Sequence, residues 1–252
     1  MDEHIWDVDT SLYLVSRKID DRKTKKQQAY ANAARESLKS VAARLNHASY
    51  HFHEVNSAWQ SFCERAATKK SPFAKLGFPI IGEQDNTHQW LSEAGALVRS
   101  AHLVACVQAL HSIPDTLAYA ISFCFELEIP ERGERDINVG YVKGKLEFKS
   151  CAKFAVEALS DLKKEGNYKK INALSNYAKH RSIIDESIST DPDAGAEAPI
   201  FLRFKTFTFD DELYEAAEAL PLLDSELKRM QSVVNGFGAA LNAYFNELPN
   251  RS

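Results

Sequence analysis

The residues best suited to chemistry lie in one short segment, Asn176 to Arg181. It places an amide, an ammonium, an imidazole and a guanidinium within six positions. A histidine can act as general base on a ribose 2′-hydroxyl, and a nearby cation can stabilise the negative charge of the phosphorane. These residue types therefore indicate phosphate binding or RNA cleavage.

A helix predicted over 168–184 positions this segment. At about 100° per residue, Ile171, Leu174 and Ala178 form an apolar stripe. The polar side chains on the opposite side are Lys169, Asn172, Asn176, Lys179 and His180. Arg181 falls nearer the apolar stripe, where it would need a carboxylate or backbone carbonyls as partners. A polar stripe is also the ordinary solvent-exposed face of a helix, so the periodicity leaves both interpretations open.

The segment Ser175 to His180 resembles the polar-histidine motif of the HEPN superfamily, the nucleotide-binding domains of higher eukaryotes and prokaryotes. Active members carry an arginine, then often an asparagine, three further residues and a histidine. Asn176 and His180 match this order, whereas Ser175 stands in place of the arginine. The resemblance covers residues 86–181. It implies an all-helical bundle that is either a metal-independent ribonuclease or a degenerate relative interacting with RNA or nucleotides.

The same resemblance implies a role for each residue of the motif. In a ribonuclease, His180 would be the base, Lys179 or Arg181 would be the cation on the phosphate, and Asn176 would orient the substrate. Members of the superfamily are often dimeric, so we expect a homodimer in which a second subunit completes the site. No cofactor and no metal are expected.

Two further pairs of residues are candidates for contacts with nucleic acid. Lys169 and Asn172 lie on the polar stripe of the helix, and Arg203 and Lys205 lie on a predicted strand. Two charges on one strand face are explained equally well as protection of a sheet edge against pairing with another chain.

The competing hypothesis is a non-catalytic helical interaction or regulatory protein. The Lys-His-Arg cluster would then be structural, with Arg181 and His180 anchoring the hairpin that follows the helix through hydrogen bonds. The serine in place of the motif's arginine keeps this alternative open.

Histidines on the first long helix suggest a third class, a metal-binding protein. His47, His51 and Glu54 align on one helical face, and two imidazoles with a carboxylate suit zinc or iron. Another helix could add His102, His111 or Asp115. An ordinary helix flank with surface histidines explains the pattern as well, and the paired Glu-x-x-His motifs of di-iron bundles are absent. Arg44 with His51 also fits the Arg-to-His spacing of the superfamily, a spacing that is common by chance.

Composition sets the wider limits. The 252 residues are 44% apolar, enough for a sizeable core. The net charge of -4 gives no overall positive field for nucleic acid, so any such binding needs a local patch. The four cysteines form no close pairs, which indicates buried free thiols in a reducing compartment. With no signal peptide and no run of about 18 apolar residues, we expect a cytoplasmic protein without a membrane partner.

Periodicity predicts a mainly α protein. Apolar residues at alternating steps of three and four predict a helix over 24–67, and a second long helix follows over 86–128. Pro114 predicts a kink or restart within the second helix, with Ser112 and Asp115 as a cap. A connector over 131–145 and a helix over 146–164 come next.

The C-terminal part carries the strand signal. Residues 200–209 are rich in aromatic residues and threonine, and 182–190 could pair with them, so we expect one small hairpin over about 182–209. Asp210 is expected to cap a last helix over 210–248, with Pro221 in the first turn of a restarted helix. The prediction is one domain, 1–252, built as an up-down bundle of about six helices beside one small β-hairpin.

Overall fold

The computed structural model describes residues 6–20, 24–67, 86–164, 166–181, 184–190 and 199–247. These residues form seven α-helices and two short 3-10 helices, Glu134–Asp136 and Ser150–Ala152. The α-helices are α1 (Val8–Asp20), α2 (Lys25–Ala67), α3 (Asn86–Cys124), α4 (Val139–Leu146), α5 (Lys153–Leu162), α6 (Asn167–His180) and α7 (Ala219–Glu247). The mainly α class is confirmed, whereas the up-down bundle stays a prediction.

The strands form more than the single predicted hairpin. They are β1 (Glu186–Thr190), β2 (Ile200–Phe204), β3 (Phe207–Phe209), β4 (Glu212–Tyr214) and β5 (Ala217–Glu218). The order β1-β2-β5 makes one antiparallel sheet, in which Glu186 lies opposite Phe204. β3 and β4 make a separate two-stranded sheet. The predicted pairing of 182–190 with the aromatic run is thus present over β1 and β2.

The cap predicted at Asp210 is wrong. Asp210 and Asp211 have positive φ angles of 49° and 60° and form the two-residue turn between β3 and β4. Two successive residues in this region build a hairpin turn, because its twist matches that of the strands. The last helix therefore begins at Ala219 instead of residue 210, and Pro221 lies in its first turn, where no N–H is needed.

Of the kink or restart predicted at Pro114, the restart is wrong, because α3 is one helix with this proline inside it, and the kink stays a prediction. Ser112 and Thr116 donate their hydroxyls to the carbonyls of Ala109 and Ser112, both at 2.8 Å. Ile113 and Leu117 are fully buried on either side of the proline. Packing thus keeps the helix continuous despite the missing N–H. Asp115 does not cap it, and its carboxylate instead pairs with Lys163 Nζ at 3.2 Å.

The end of α3 lies four residues before the predicted one. Glu126 takes a left-handed φ of 51°, a place that glycine usually occupies. The N–H of Leu127 bonds the carbonyl of Ser122 at 2.9 Å, and the N–H of Glu126 bonds that of Phe123 at 3.2 Å. These two bonds are the Schellman arrangement that ends a helix.

The predicted connector over 131–145 contains a helix. Asn138 caps α4 because its side chain accepts a hydrogen bond from the N–H of Tyr141 at 3.0 Å. The helix predicted over 146–164 is shorter in the structure, where α5 covers Lys153–Leu162. All four cysteines are free, as expected, but only Cys106 is buried, and Cys151 is exposed.

Contacts divide the chain into two compact units. The first comprises residues 1–46, 109–169 and 227–252, and the second comprises 47–108 and 170–226. In the first unit, Trp6 covers Gly238 of α7 and donates its indole N–H to Ser11 at 2.9 Å. The second unit holds both sheets, with Leu202 and Phe204 of β2 buried. The single-domain interpretation stays a prediction.

One helical segment among the described residues, Gly95–Cys124 of α3, has the length and apolar composition that a membrane span needs. A buried core helix of a soluble protein has the same properties. Leu103, Leu110, Leu117 and Ile121 of this segment are packed inside the protein with at most 1% exposure. The expectation of no membrane span stays a prediction.

Candidate functional site

The buried face of helix α6 determines where the predicted polar segment lies. Tyr168, Ile171, Ala173 and Leu174 are all buried, which fixes the rotation of the helix about its axis. The observed inner face is wider than the predicted stripe, because Ala178 is only half-buried. Burial of this face leaves the other face of α6 to solvent.

Ser175 belongs to the buried face. Its side chain is 0% exposed, and its Oγ has no hydrogen-bond partner within the described residues. This is the position at which the HEPN motif carries its arginine. An arginine side chain here would enter the interior of the protein. Any cation of the site must therefore come from another position.

Asn176, Lys179 and His180 lie on the side open to solvent. Lys179 and His180 are exposed, as is Lys169 near the start of the helix. Asn176 is half-buried and donates its side-chain amide to Asn172 Oδ1 at 3.2 Å. The imidazole of His180 makes no hydrogen bond to any residue in the described ranges. The imidazole is therefore accessible to a ligand.

Arg181 follows α6 directly and contacts the β3–β4 hairpin. Its Nη1 donates to the carbonyl oxygen of Thr208 at 3.4 Å, and its guanidinium lies 5.3 Å from the ring centre of Phe209. Tyr177 packs against Phe207 with ring centres 5.3 Å apart. These contacts are the anchoring that the competing hypothesis predicts for Arg181, whereas His180 takes no part in them.

The two basic residues predicted on the strand both have acidic partners. Arg203 Nη2 is 3.9 Å from Glu218 Oε1, and Lys205 Nζ is 3.8 Å from Asp185 Oδ2. Surface ion pairs of this length are weak, so both cations can still exchange partners with solvent anions. Their proposed contact with nucleic acid stays a prediction.

Among the described residues of the second unit, the most deeply buried ion pair is one that the sequence did not predict. Arg99 of α3 donates its Nε–H to Glu186 Oε1 of β1 at 2.9 Å. The side chains are only 7% and 14% exposed. Glu186 Oε2 is also buried and has no partner among the described residues. The sequence signal for a buried ion pair is the single arginine in the apolar run around Val98, because a buried charge needs a partner.

The histidines of α2 and α3 meet in the second unit. His51 Nδ1 is 2.8 Å from His102 Nδ1, and the ring of Tyr50 packs edge-on against both imidazoles. His102 was one of the ligands considered from sequence. His47 is exposed and Glu54 is half-buried, and the described residues contain no group of three or more metal-ligating side chains.

Burial and neighbouring charges act on His51. Loss of hydration lowers the pKa of its imidazole below the usual range, and the positive charges of His102 and His47 lower it further. The carboxylate of Glu54 opposes them. The His51 ring is consequently neutral at pH 7, with a lone pair available on one nitrogen.

Comparison with known proteins adds no relative. No protein-family model, no curated protein and no solved structure matches this chain. The resemblance to the HEPN superfamily consequently depends on the motif residues alone.

Proposed function

We propose that the exposed end of α6 binds the phosphate groups of RNA or of a nucleotide, as in a HEPN-like protein. The observation that carries the proposal is the accessible imidazole of His180, which lies in sequence between two cationic residues, Lys179 and Arg181. Asn176 lies one turn before it on the same helix, where its amide can contact a bound ligand.

In the ribonuclease form of the proposal, His180 accepts the proton of the ribose 2′-hydroxyl. The 2′-oxygen attacks the phosphorus, the bond to the 5′-oxygen breaks, and that oxygen takes a proton from water. The hydroxide left behind removes the proton from the His180 imidazolium, which restores the base. Lys179 supplies the positive charge that the motif's arginine would supply, because the position of Ser175 is buried. Arg181 keeps further N–H donors beyond the one it gives to Thr208, so it can also contact the phosphate.

The test uses a fluorescently labelled single-stranded RNA with chelator present throughout. We expect His180→Ala to lower the cleavage rate at least about 100-fold, the usual size of a general-base contribution. Lys179→Ala should weaken binding, measured by fluorescence anisotropy. His53→Ala is the matched control, since His53 is an exposed histidine on another helix. Equal cleavage by wild type and His180→Ala would identify a contaminating nuclease and remove the catalytic role.

Contacts of Arg181 favour a second candidate, the non-catalytic interaction protein. The guanidinium already anchors the hairpin through Thr208 and Phe209. In this case neither Lys179→Ala nor His180→Ala changes RNA binding, and Arg181→Ala changes stability alone. Light scattering of the purified chain, with and without RNA, tests the homodimer that the HEPN-like proposal includes.

A further inference from the structure

The histidine pair on α2 and α3 is a second chemical site, separate from the end of α6. His51 and His102 are 51 positions apart in the chain, yet their Nδ1 atoms are only 2.8 Å apart. Both rings are half-buried and their neighbour Tyr50 is exposed, so the pair lies at a surface that solvent reaches. Two ring nitrogens directed at each other in this way can share one proton or one metal ion.

We propose that His51 and His102 form a two-histidine site for a tetrahedral divalent metal ion of the zinc class. Each imidazole would give its Nδ1 to the ion. Water or a small exogenous anion would fill the remaining two positions, one more than in catalytic zinc sites, which have three protein ligands and one open position. This inference does not depend on the RNA proposal.

The ring positions support tetrahedral coordination. Their centres are 5.1 Å apart, with the ring planes inclined at 46°. Two Zn–N bonds of about 2.0 Å at a tetrahedral angle place the ring centres about 5.2 Å apart and the nitrogens about 3.3 Å apart. The ring centres therefore already have the required separation. The nitrogens now lie almost on the line between the two centres, so each ring would turn by roughly 35° to direct its lone pair at one ion at a tetrahedral angle.

A square-planar ion fits less well. Two ligands at 90° with the same bond length place the ring centres about 4.5 Å apart, which requires the rings to move towards each other. The ring of Tyr50 lies edge-on against both imidazoles, with centres at 5.2 and 5.9 Å, and its packing opposes such a shift of the ring centres more than a rotation of the rings in place. The geometry therefore favours zinc and cobalt over nickel.

The chemistry of the neighbouring groups is compatible with a cation. Glu54 is half-buried one turn after His51 on α2, and its negative charge acts on the His51 ring. Its carboxylate contributes an attractive field to the site without being a ligand in this arrangement.

The experiment titrates the chelator-treated full chain with zinc sulfate by calorimetry. We expect one ion per chain, with binding weakened at least about 10-fold in His51→Gln and in His102→Gln. His53→Gln should bind as wild type does, because His53 points away from His51 on the same helix. At zinc concentrations about 100 times Kd, the unfolding midpoint of wild type should rise by about 5–10 °C.

Two readouts on the wild-type chain keep the proposal testable if a variant does not fold. Zinc should shift the side-chain nitrogen resonances of two histidines and leave those of the other six unchanged. Cobalt should give the intense visible absorption of a tetrahedral ion. Absence of zinc binding, or zinc binding equally strong in both histidine variants, would overturn the site. Tighter binding of nickel than of zinc would overturn its tetrahedral geometry.

Discussion

Two arginines of the second unit differ in how much of their charge their neighbours neutralise. Arg99 is 5% exposed and gives two N–H groups to one carboxylate oxygen of Glu186. Arg181 is exposed, gives one N–H to a backbone carbonyl, and lies over an aromatic ring. Both join a helix region to strands. Only the second keeps donors that a ligand could use, so position in the fold decides which arginine is available for function.

Removal of the Glu186 carboxylate should have the largest effect on the free energy of unfolding. Glu186→Ala leaves the buried guanidinium of Arg99 without its partner, and breaking such a pair costs about 3–5 kcal/mol. The matched control is Glu218→Ala, which breaks the half-exposed 3.9 Å pair with Arg203 and should cost at most about 1 kcal/mol. Urea unfolding of both variants measures the difference. Equal losses would show that burial does not distinguish the two pairs.

The double variant Arg99→Met/Glu186→Leu sharpens this result. It removes both charges, so no unpaired ion remains in the interior, and its stability should be close to that of wild type. A large loss in the double variant would mean that the pair is needed for packing or for the register of β1.

A buried contact without charge lies in the first unit. A Cβ added at Gly238 would be 2.0 Å from Trp6 Cδ1, whereas a Cβ at Gly236 meets nothing within 4 Å. Gly238→Ala should therefore displace Trp6 and cost about 1–3 kcal/mol. Gly236→Ala should instead stabilise the protein by about 0.5–1 kcal/mol, because alanine favours a helix. Thermal unfolding followed by tryptophan fluorescence separates the two, and equal shifts would contradict the steric explanation.

Substitution of the exposed arginine should cost less stability than Glu186→Ala or Gly238→Ala. Arg181→Ala removes one hydrogen bond and one cation–π contact, which together contribute about 1 kcal/mol at an exposed site. Arg181→Lys keeps the positive charge but loses the planar guanidinium with its several N–H donors. Its RNA affinity should therefore lie between those of Arg181→Ala and wild type. Chemical unfolding and anisotropy, measured on the same samples, separate anchoring from binding. A loss of several kcal/mol in Arg181→Ala would place this residue with Arg99 as a buried structural group.

Local periodicity in the sequence predicts part of the fold and of the candidate site. The polar stripe of α6 follows from spacing alone, because each residue turns the helix by a fixed angle. The pairing of Arg99 with Glu186 could not be predicted, since the two are 87 positions apart and no local spacing relates them. The orientation of Ser175 falls near the edge of the predicted stripe, where a small rotation decides burial. Asp210 has the residue type of both a cap and a turn, and only its φ angle distinguishes them.

The smallest expected effect concerns a contact of intermediate exposure, between Tyr119 of α3 and Glu134. Burial raises the pKa of Tyr119 to about 12, and the hydrogen bond to Glu134 and the negative charge of that residue add to the effect. Because the folded-state pKa lies above the unfolded value of about 10, the contribution to stability is fully present below pH 10. It is lost as the pH rises from about 10 to about 12. Burial also raises the pKa of Tyr244. Ultraviolet titration of tyrosinate should therefore show late ionisations of both tyrosines, of which Tyr119→Phe removes one and Glu134→Gln moves the same one to lower pH. A titration curve at high pH that neither variant changes would contradict the effect of the Tyr119–Glu134 contact.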